Sequence, residues 1–391
     1  MISTVAQGRC TSVANRLESA RRDARHQRAW DPPRRLGTYD RAISLPVERA
    51  VGWCLAAQRS LHRRRFFSNI GTMAGSTIVV AGATGNLGGR ITRALLERGA
   101  SVRGLVRHDA APDKLERLQE LGAAIAGVDL TSVSEVTAAC SGASCVVSAL
   151  QGLRDVIVEK QTVLLDAAVT AAVPRFIPSD FSIDLTKLSA GENRNLDLRR
   201  DFHQRLDETS IAATTIYNGA FTDMLTGQMP LILFKLRRVL YWGDADQRMD
   251  FTTIDDTAAF TARAALDPST PRFLRIAGDQ LSARELTAVV CDVTGEKFRL
   301  LRAGGLGMLD TLIKVVRSIV PREEELYPAW QGMQYMRNMF DGRAKLEPLD
   351  NHRYPGLSWT TARDVLSARA RKVTASHSGA MPADSQRGQR A

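Results

Sequence analysis

Short apolar runs rich in β-branched residues alternate with amphipathic stretches through the middle of the chain. The first run, "STIVVAG", is followed by "RITRALLERG", where Ile91, Ala94 and Leu95 recur at helical spacing. Four further runs, "SVRGLVR", "AAIAGVDL", "ASCVVSAL" and "PRFIPSDF" with its loop, are predicted strands, and helices are predicted between them. Repeated strand–helix units with short connections predict an α/β fold built on a doubly wound parallel sheet of the Rossmann type.

The last third of the chain has a different pattern. Leu309, Leu312, Ile313 and Val316 lie at helical spacing, which predicts an amphipathic helix. The segment "YPAWQGMQYMRNMF" is rich in aromatic residues and methionine. Such residues line pockets for flat apolar ligands, and they also fill the cores of small domains, so the pattern leaves both uses open.

Both ends of the chain lack an apolar period. Residues 1–72 contain 14 arginines, no lysine and five acidic residues, whereas the remainder holds 39 basic and 37 acidic residues. The net charge of +11 therefore comes mainly from a predicted disordered basic leader, and the folded part is not expected to bind nucleic acid. We interpret the leader as sequence translated ahead of a start at Met73, as a mitochondrial transit peptide or as a basic arm. Residues 372–391 are predicted to be a disordered tail.

Membrane and metal chemistry are not indicated by the sequence. No apolar run reaches the ~18 residues that suggest a membrane span. The five cysteines show no metal-type spacing, so we expect reduced thiols and no metal site. These features predict a cytoplasmic protein, or a mitochondrial matrix protein if the leader is a genuine transit peptide.

The turn after the first predicted strand is rich in glycine, with the spacing GxxGxxG. Gly82 permits the tight turn, Gly85 lets the backbone approach a pyrophosphate, and Gly88 lets the following helix pack closely. The N-terminus of that helix offers free N–H groups to phosphate. The turn is predicted to bind a dinucleotide through Gly82, Thr84, Gly85, Asn86, Leu87 and Gly88.

The end of the second predicted strand selects the cofactor. An acidic residue there accepts hydrogen bonds from the ribose of NAD, whereas a basic residue meets the 2′-phosphate of NADP. This chain has Arg107 at that place, His108 beside it and Lys114 seven residues further on. The sequence therefore predicts NADP(H), while Asp109 leaves NAD as an alternative.

Ligands of doubly wound sheets bind at the carboxyl ends of the strands. The residues that follow the third, fourth and fifth predicted strands are therefore expected along the path of the cofactor. They are Asp129, Ser148, Ala149, Leu150, Pro178, Ser179 and Phe181.

Five motifs occur in order between Val79 and Phe260: "VVAGATGNLGG", "SAL", "VPRFIPSDF", "NGAF" and "FTTIDDTAAF". Together they resemble the NmrA-like family, atypical short-chain dehydrogenases related to the isoflavone reductase-like proteins. The resemblance implies an NADP(H)-binding Rossmann domain over residues 73–265, within which residues 220–248 belong partly to the substrate region. It also implies a smaller, partly discontinuous substrate domain over residues 266–371, and Phe181 beside the nicotinamide.

The catalytic group is the least regular feature of the resemblance. The Tyr-x-x-x-Lys pair of the main short-chain dehydrogenase group does not occur in this sequence. The resemblance places the catalytic lysine of the isoflavone reductase-like enzymes at Arg199. Arginine keeps the positive charge and can orient a carbonyl, but it cannot give up a proton in a protein.

Two titratable residues are candidate proton donors. His203 lies four residues after Arg199 on the same predicted helical face, and histidine titrates near neutral pH. Tyr217 follows the predicted strand "AATTIY". Each also has a structural interpretation, as a hydrogen-bonded helix residue and as a core residue. Asp255 and Asp256 open a predicted helix, where acidic residues cap free N–H groups.

These features predict an NADPH-dependent reductase that transfers hydride to a small carbonyl, aromatic or quinone-like substrate, as a monomer or homodimer. The alternative is a non-catalytic NADP(H) redox sensor that acts through protein contacts, since the resemblance covers proteins of both kinds.

Overall fold

A six-stranded, entirely parallel sheet organises the N-terminal part of residues 76–378, the range that the computed structural model describes. Its strand order is β3-β2-β1-β4-β5-β6, so the order reverses between β1 and β4. The predicted doubly wound parallel sheet is confirmed. The strands are β1 (Thr77–Ala81), β2 (Ser101–Val106), β3 (Ala124–Gly127), β4 (Ala143–Ser148), β5 (Arg175–Ile177) and β6 (Ala212–Ala213).

Helices cover both faces of this sheet, which explains why β1 is apolar at every position after Thr77. Ile78 and Val80 pack on one face, and Val79 and Ala81 pack on the other. The first face meets α1 (Asn86–Leu96), α2 (Pro112–Glu120) and α6 (Ile254–Leu266). The second face meets the remaining helices of this part: α3 (Val133–Cys140), α4 (Gln161–Thr170), which follows a π-helical turn (Asp155–Lys160), and α5 (Arg194–Asp207).

Asp113 with Glu116 and Ser132 with Glu135 have the spacing of capping boxes in the sequence, and neither box forms in full. Helix α2 (Pro112–Glu120) begins at Pro112, so its cap residue is Ala111, whose side chain has no acceptor, and Asp113 lies inside the first turn. Ser132 does cap α3 by accepting from the Glu135 N–H at 3.4 Å. The Glu135 carboxylate accepts from the Asp129 N–H instead of closing the box.

A second region is built from short strands and four helices. Strand β7 (Thr215–Tyr217) pairs in parallel with β12 (Phe273–Arg275). One small sheet contains β8 (Ala220–Phe221), β11 (Arg248–Thr252) and β13 (Asp279–Ser282), and another contains β9 (Ile232–Leu233), β10 (Arg238–Trp242) and β14 (Arg299–Gly304). The helices are α7 (Ala283–Thr294), α8 (Leu306–Ile319), α9 (Ala329–Asp341) and α10 (Ala362–Ser378).

The two regions are interleaved along the chain. The core of the second region combines Leu196 and Phe251 with Trp330 and Leu366, which come from both sides of residue 265. In the other direction, the ring of Tyr354 packs 5.0 Å from that of Phe260 on α6. Each region therefore depends on segments that are distant in sequence.

The predicted leader, residues 1–72, lies outside the described residues. The predicted tail begins too early, because α10 continues to Ser378. Among residues 76–378, no helix has the length and hydropathy to cross a membrane.

Candidate functional site

A cavity of about 1590 Å³ runs along the carboxyl ends of the sheet strands and into the second region. Most of the predicted cofactor residues line it. These are Gly82, Thr84, Gly85, Asn86, Leu87, Arg107, Lys114, Asp129, Ala149, Leu150, Ser179 and Phe181. The structure places Gly88, Ser148 and Pro178 behind this lining, although the sequence predicted them within it.

The glycine-rich turn has the shape that a pyrophosphate needs. Gly82 has φ +79°, and a Cβ there would lie 2.6 Å from the carbonyl oxygen of Ala149. A Cβ on Gly88 would lie 2.1 Å from the carbonyl oxygen of Gly82. Gly88 therefore lets α1 sit directly against the turn, which is a structural role one layer behind the ligand.

The N-terminus of α1 is open to an anion. Its cap residue is Gly85, which offers no side chain to the free N–H groups, and the first turn contains no acidic residue. Unbonded N–H groups and the positive end of the helix dipole favour phosphate. The turn and the helix together fit a dinucleotide pyrophosphate.

Basic side chains lie at one end of the cavity. The side chain of Arg107 is 76% exposed and its Nε lies 3.4 Å from Asp109, a contact that water screens strongly. His108 binds Glu135 at 3.0 Å, which fixes the imidazole beside Arg107. The Arg107 guanidinium is therefore available to a phosphate. Asp109 lies beside Arg107, so it is not an isolated acidic residue after β2.

The loop after β5 is tied to its neighbours. The Ser179 hydroxyl donates to the Leu150 carbonyl at 2.6 Å, and the Ser179 N–H donates to the side chain of Gln161 at 3.0 Å. Gln161 is fully buried at the start of α4. These bonds join the ends of β4 and β5, so that Leu150, Ser179 and Phe181 line one wall.

Arg199 extends from α5 to the same wall. Its Nε donates to the Ser179 carbonyl at 3.0 Å, and its Nη1 donates to the Asn195 carbonyl at 2.8 Å. Its Nη2 makes no hydrogen bond within residues 76–378. The guanidinium is thus held at two nitrogens with the third unpaired among residues 76–378, and its role in orienting a substrate stays a prediction.

His203 does not reach the cavity, contrary to the expectation for a proton donor. It is 7% exposed, and its Nε2 lies 2.6 Å from the Asp180 carboxylate, which also accepts from the Thr215 hydroxyl. Burial disfavours the charged Asp180, but the neighbouring His203 and Arg199 hold the pKa of Asp180 below its usual range. One turn beyond Arg199, the same face of α5 packs against Asp180 in the loop after β5, outside the cavity lining, which spacing alone could not show.

Tyr217 is also placed away from the cavity. Its side chain is fully buried, and its ring stacks on that of Phe273 at 6.1 Å. Burial raises the pKa of the Tyr217 phenol. Tyr217 ends β7 and packs against Phe273 of β12, which agrees with the structural interpretation of the sequence.

The far end of the cavity is apolar and lies in the second region. The aromatic and methionine-rich segment forms α9 and contributes both to the core and to the cavity. Trp330 and Phe340 are buried in the core, while other residues of the helix face the cavity. The helical spacing of Met333, Met336 and Met339 could have indicated this shared face. Several lining residues come from segments in which the sequence carries no functional motif: Gln151, Met224, Met229, Leu240, Trp242 and Tyr327.

Comparisons with known proteins agree with this architecture. The model of the NmrA-like family matches residues 74–363. Pinoresinol reductase 1 of Arabidopsis thaliana is 26% identical over 264 residues, which cover 63% of this chain and 82% of that protein. The crystal structure of isoflavone reductase matches with a TM-score of 0.64 at 22% identity, covering 75% of this chain and 99% of that one. The structure of AtPrR2 with NADP+ and (+)pinoresinol matches with a TM-score of 0.65 at 21% identity, covering 75% and 98%.

Proposed function

Since the chain belongs to the NmrA-like family, we propose that it is an NADPH-dependent reductase of a small apolar carbonyl, aromatic or quinone-like compound. One observation carries the proposal. A single cavity joins the glycine-rich turn and Arg107 to an apolar wall of methionine and aromatic residues, and Arg199 lies between these two parts.

The cofactor end of the cavity fits NADP(H). Gly82, Gly85 and the N-terminus of α1 would hold the pyrophosphate, and Arg107 and Lys114 would bind the 2′-phosphate through charge-assisted hydrogen bonds. Phe181 would flank the nicotinamide, which supplies a hydride when NADPH is bound. The solved structure of AtPrR2 with NADP+ supports this choice of cofactor.

The apolar end fits a flat substrate. Methionine side chains adapt to rings of different shape, and aromatic side chains such as Trp242 stack on them. The related pinoresinol and isoflavone reductases are named for aromatic compounds, which supports the same class here. The alternative of a non-catalytic sensor has no such support, because these relatives are named as reductases.

Arg199 has a defined part in such a reaction. Because two of its nitrogens are fixed by Ser179 and Asn195, the remaining Nη2 can hold a substrate oxygen in one orientation. Its charge would stabilise the negative charge that develops on that oxygen, and such preorganised groups supply much of enzymatic rate enhancement. It cannot supply a proton, so that task falls to another group.

The test is to measure NADPH and NADH binding to the full chain by calorimetry, followed by cofactor oxidation with an aromatic ketone and a naphthoquinone. We expect tighter binding of NADPH and its consumption with at least one of these substrates. Tight NADPH binding with no oxidation by either substrate would contradict the reductase and favour the sensor.

A further inference from the structure

Helix α9 carries a tyrosine into the wall of the cavity. Tyr335 is half-buried and lines the same cavity as Arg199. The helix is anchored by Trp330, which is fully buried and donates from its indole N–H to the Pro321 carbonyl at 2.6 Å. Phe340 anchors the other end in the core. The position of Tyr335 is thus set by packing on both sides of it.

Tyr335 and Arg199 line the cavity from two helices that are bound to each other. The Arg194 N–H at the start of α5 donates to the Gln334 side chain of α9 at 3.2 Å, and the Asn195 carbonyl accepts from Arg199 Nη1. Asn195 is itself fixed, since its Nδ2 donates to the Leu326 carbonyl at 3.1 Å and its Oδ1 accepts from Arg194. A phenol and a guanidinium from two packed helices therefore face the same cavity.

The other titratable side chains that line the cavity are committed elsewhere or lie at its cofactor end. His108, Lys114 and Asp129 lie along the nucleotide part, and Lys160 donates to Asp155 at 3.3 Å. Asp223 accepts from the Ile254 N–H at 2.9 Å, and the Tyr327 hydroxyl accepts from Gln151 at 3.2 Å with a side chain that is 55% exposed. Tyr335 is the phenol that shares its surroundings with Arg199.

We propose that Tyr335 is the proton donor of the reductase and that Arg199 is its charge partner, a pairing that rests on the proposed function. In the Tyr-x-x-x-Lys pair of the main short-chain dehydrogenase group, the tyrosine and the cation lie four residues apart. Here the tyrosine would come from α9 and the cation from α5. This explains how an arginine can stand at the position of the family's lysine without loss of the proton donor.

The electrostatics agree with this role. Burial raises the pKa of Tyr335 to about 12, and the Arg199 guanidinium opposes part of that rise while Tyr327 adds to it. The phenol is therefore protonated at neutral pH. An alkoxide is a stronger base than a phenolate, so proton transfer from Tyr335 to a newly formed alkoxide is downhill.

The step balances as follows for a ketone. The carbonyl carbon accepts the hydride, with its two electrons, from NADPH, and the π pair of the C=O bond moves to the oxygen. The Tyr335 O–H bond breaks and its proton bonds to that oxygen, which gives the alcohol. The Tyr335 phenolate, stabilised by Arg199, then takes a proton from water. NADPH is oxidised, the ketone is reduced, and one solvent proton is consumed.

The test compares Tyr335→Phe with the matched control Tyr241→Phe in the full chain. Tyr241 lies on β10 in the same region and does not line the cavity. Two substrates separate the roles, because a ketone needs a proton on its oxygen, whereas a quinone accepts hydride to give a hydroquinone anion that needs none. NADPH affinity measured by calorimetry reports on folding and cofactor binding independently of turnover.

We expect Tyr335→Phe to lower kcat/KM for an aromatic ketone by about 100-fold or more, as loss of a general acid does. The same variant should change quinone reduction by less than about fivefold, keep the affinity for NADPH, and lose the solvent isotope effect of ketone reduction. Tyr241→Phe should match the parent. Equal losses with both substrates, or ketone reduction at the parental rate, would overturn the role of Tyr335 alone. A parent that reduces neither substrate would overturn the proposed reductase, and the role of Tyr335 with it.

Discussion

The contact between Gly88 and the turn gives a prediction with a defined size. In Gly88→Ala, the new Cβ would lie 2.1 Å from the Gly82 carbonyl oxygen and 2.7 Å from its carbon. Ordinary non-bonded contacts are about 3.5 Å or longer, so α1 must move away from the turn by about 1 Å. Both clashing atoms are backbone and cannot rotate aside, which puts the cost near the upper end of the ~1–3 kcal/mol for overpacking. Alanine regains ~1 kcal/mol of helix propensity, so we expect a net loss of about 2 kcal/mol.

Gly89→Ala is the matched control, since it places the same methyl group one residue further along α1. Its Cβ would meet the Ala83 carbonyl oxygen at 3.3 Å, which small adjustments accommodate. Urea unfolding should show a lower midpoint for Gly88→Ala only, and calorimetry should show at least a tenfold weaker binding of NADPH, about 1.4 kcal/mol, for that variant. Equal stability and equal NADPH affinity in the two variants would refute the close packing of α1 on the turn.

Three further predictions concern charged groups. Arg107→Ala should cost roughly 1.5–3 kcal/mol in NADPH binding and much less in NADH binding, measured by calorimetry; equal losses would mean that Arg107 supports the fold. Arg199→Ala should raise KM for the substrate while leaving the Kd for NADPH unchanged, and an unchanged KM in steady-state assays would remove Arg199 from substrate binding. The lowered pKa of Asp180 contributes stability that is present above the usual aspartate value of about 3.9 and is lost as the pH falls through the folded value. Asp180→Asn should therefore flatten the fall of the urea midpoint below about pH 4, whereas an unchanged slope would contradict the ionised Asp180.

The nucleotide-binding half could be predicted because its signals are local. A β-branched run, glycines at fixed spacing and an amphipathic helix are adjacent in sequence, and they form β1, the turn and α1. Arg107 was found in the same way, since the end of β2 falls where its apolar run stops. Parallel strands then bring their carboxyl ends together, which places Asp129, Ala149 and Ser179 along one cavity.

The proton-transfer part could not be predicted because its members are distant in sequence. His203 shares a helical face with Arg199, but only the packing of α5 shows that the cavity ends before it. Tyr335 lies 136 positions after Arg199, in a segment whose composition suits a core and a pocket equally well. The structure resolves that choice residue by residue, with Trp330 in the core and Tyr335 in the cavity wall.

The most direct test of the account is to follow the transferred hydride itself. The full chain would be incubated with NADPH carrying deuterium at both positions of the nicotinamide C4 and with an aromatic ketone or naphthoquinone, and the product would be examined by mass spectrometry. The account predicts that the alcohol formed from the ketone retains one deuterium on its carbinol carbon, and that one NADPH is consumed for each product molecule. NADPH that binds tightly but delivers no deuterium to the ketone, and is not consumed with the quinone, would contradict the assignment of this cavity to hydride transfer.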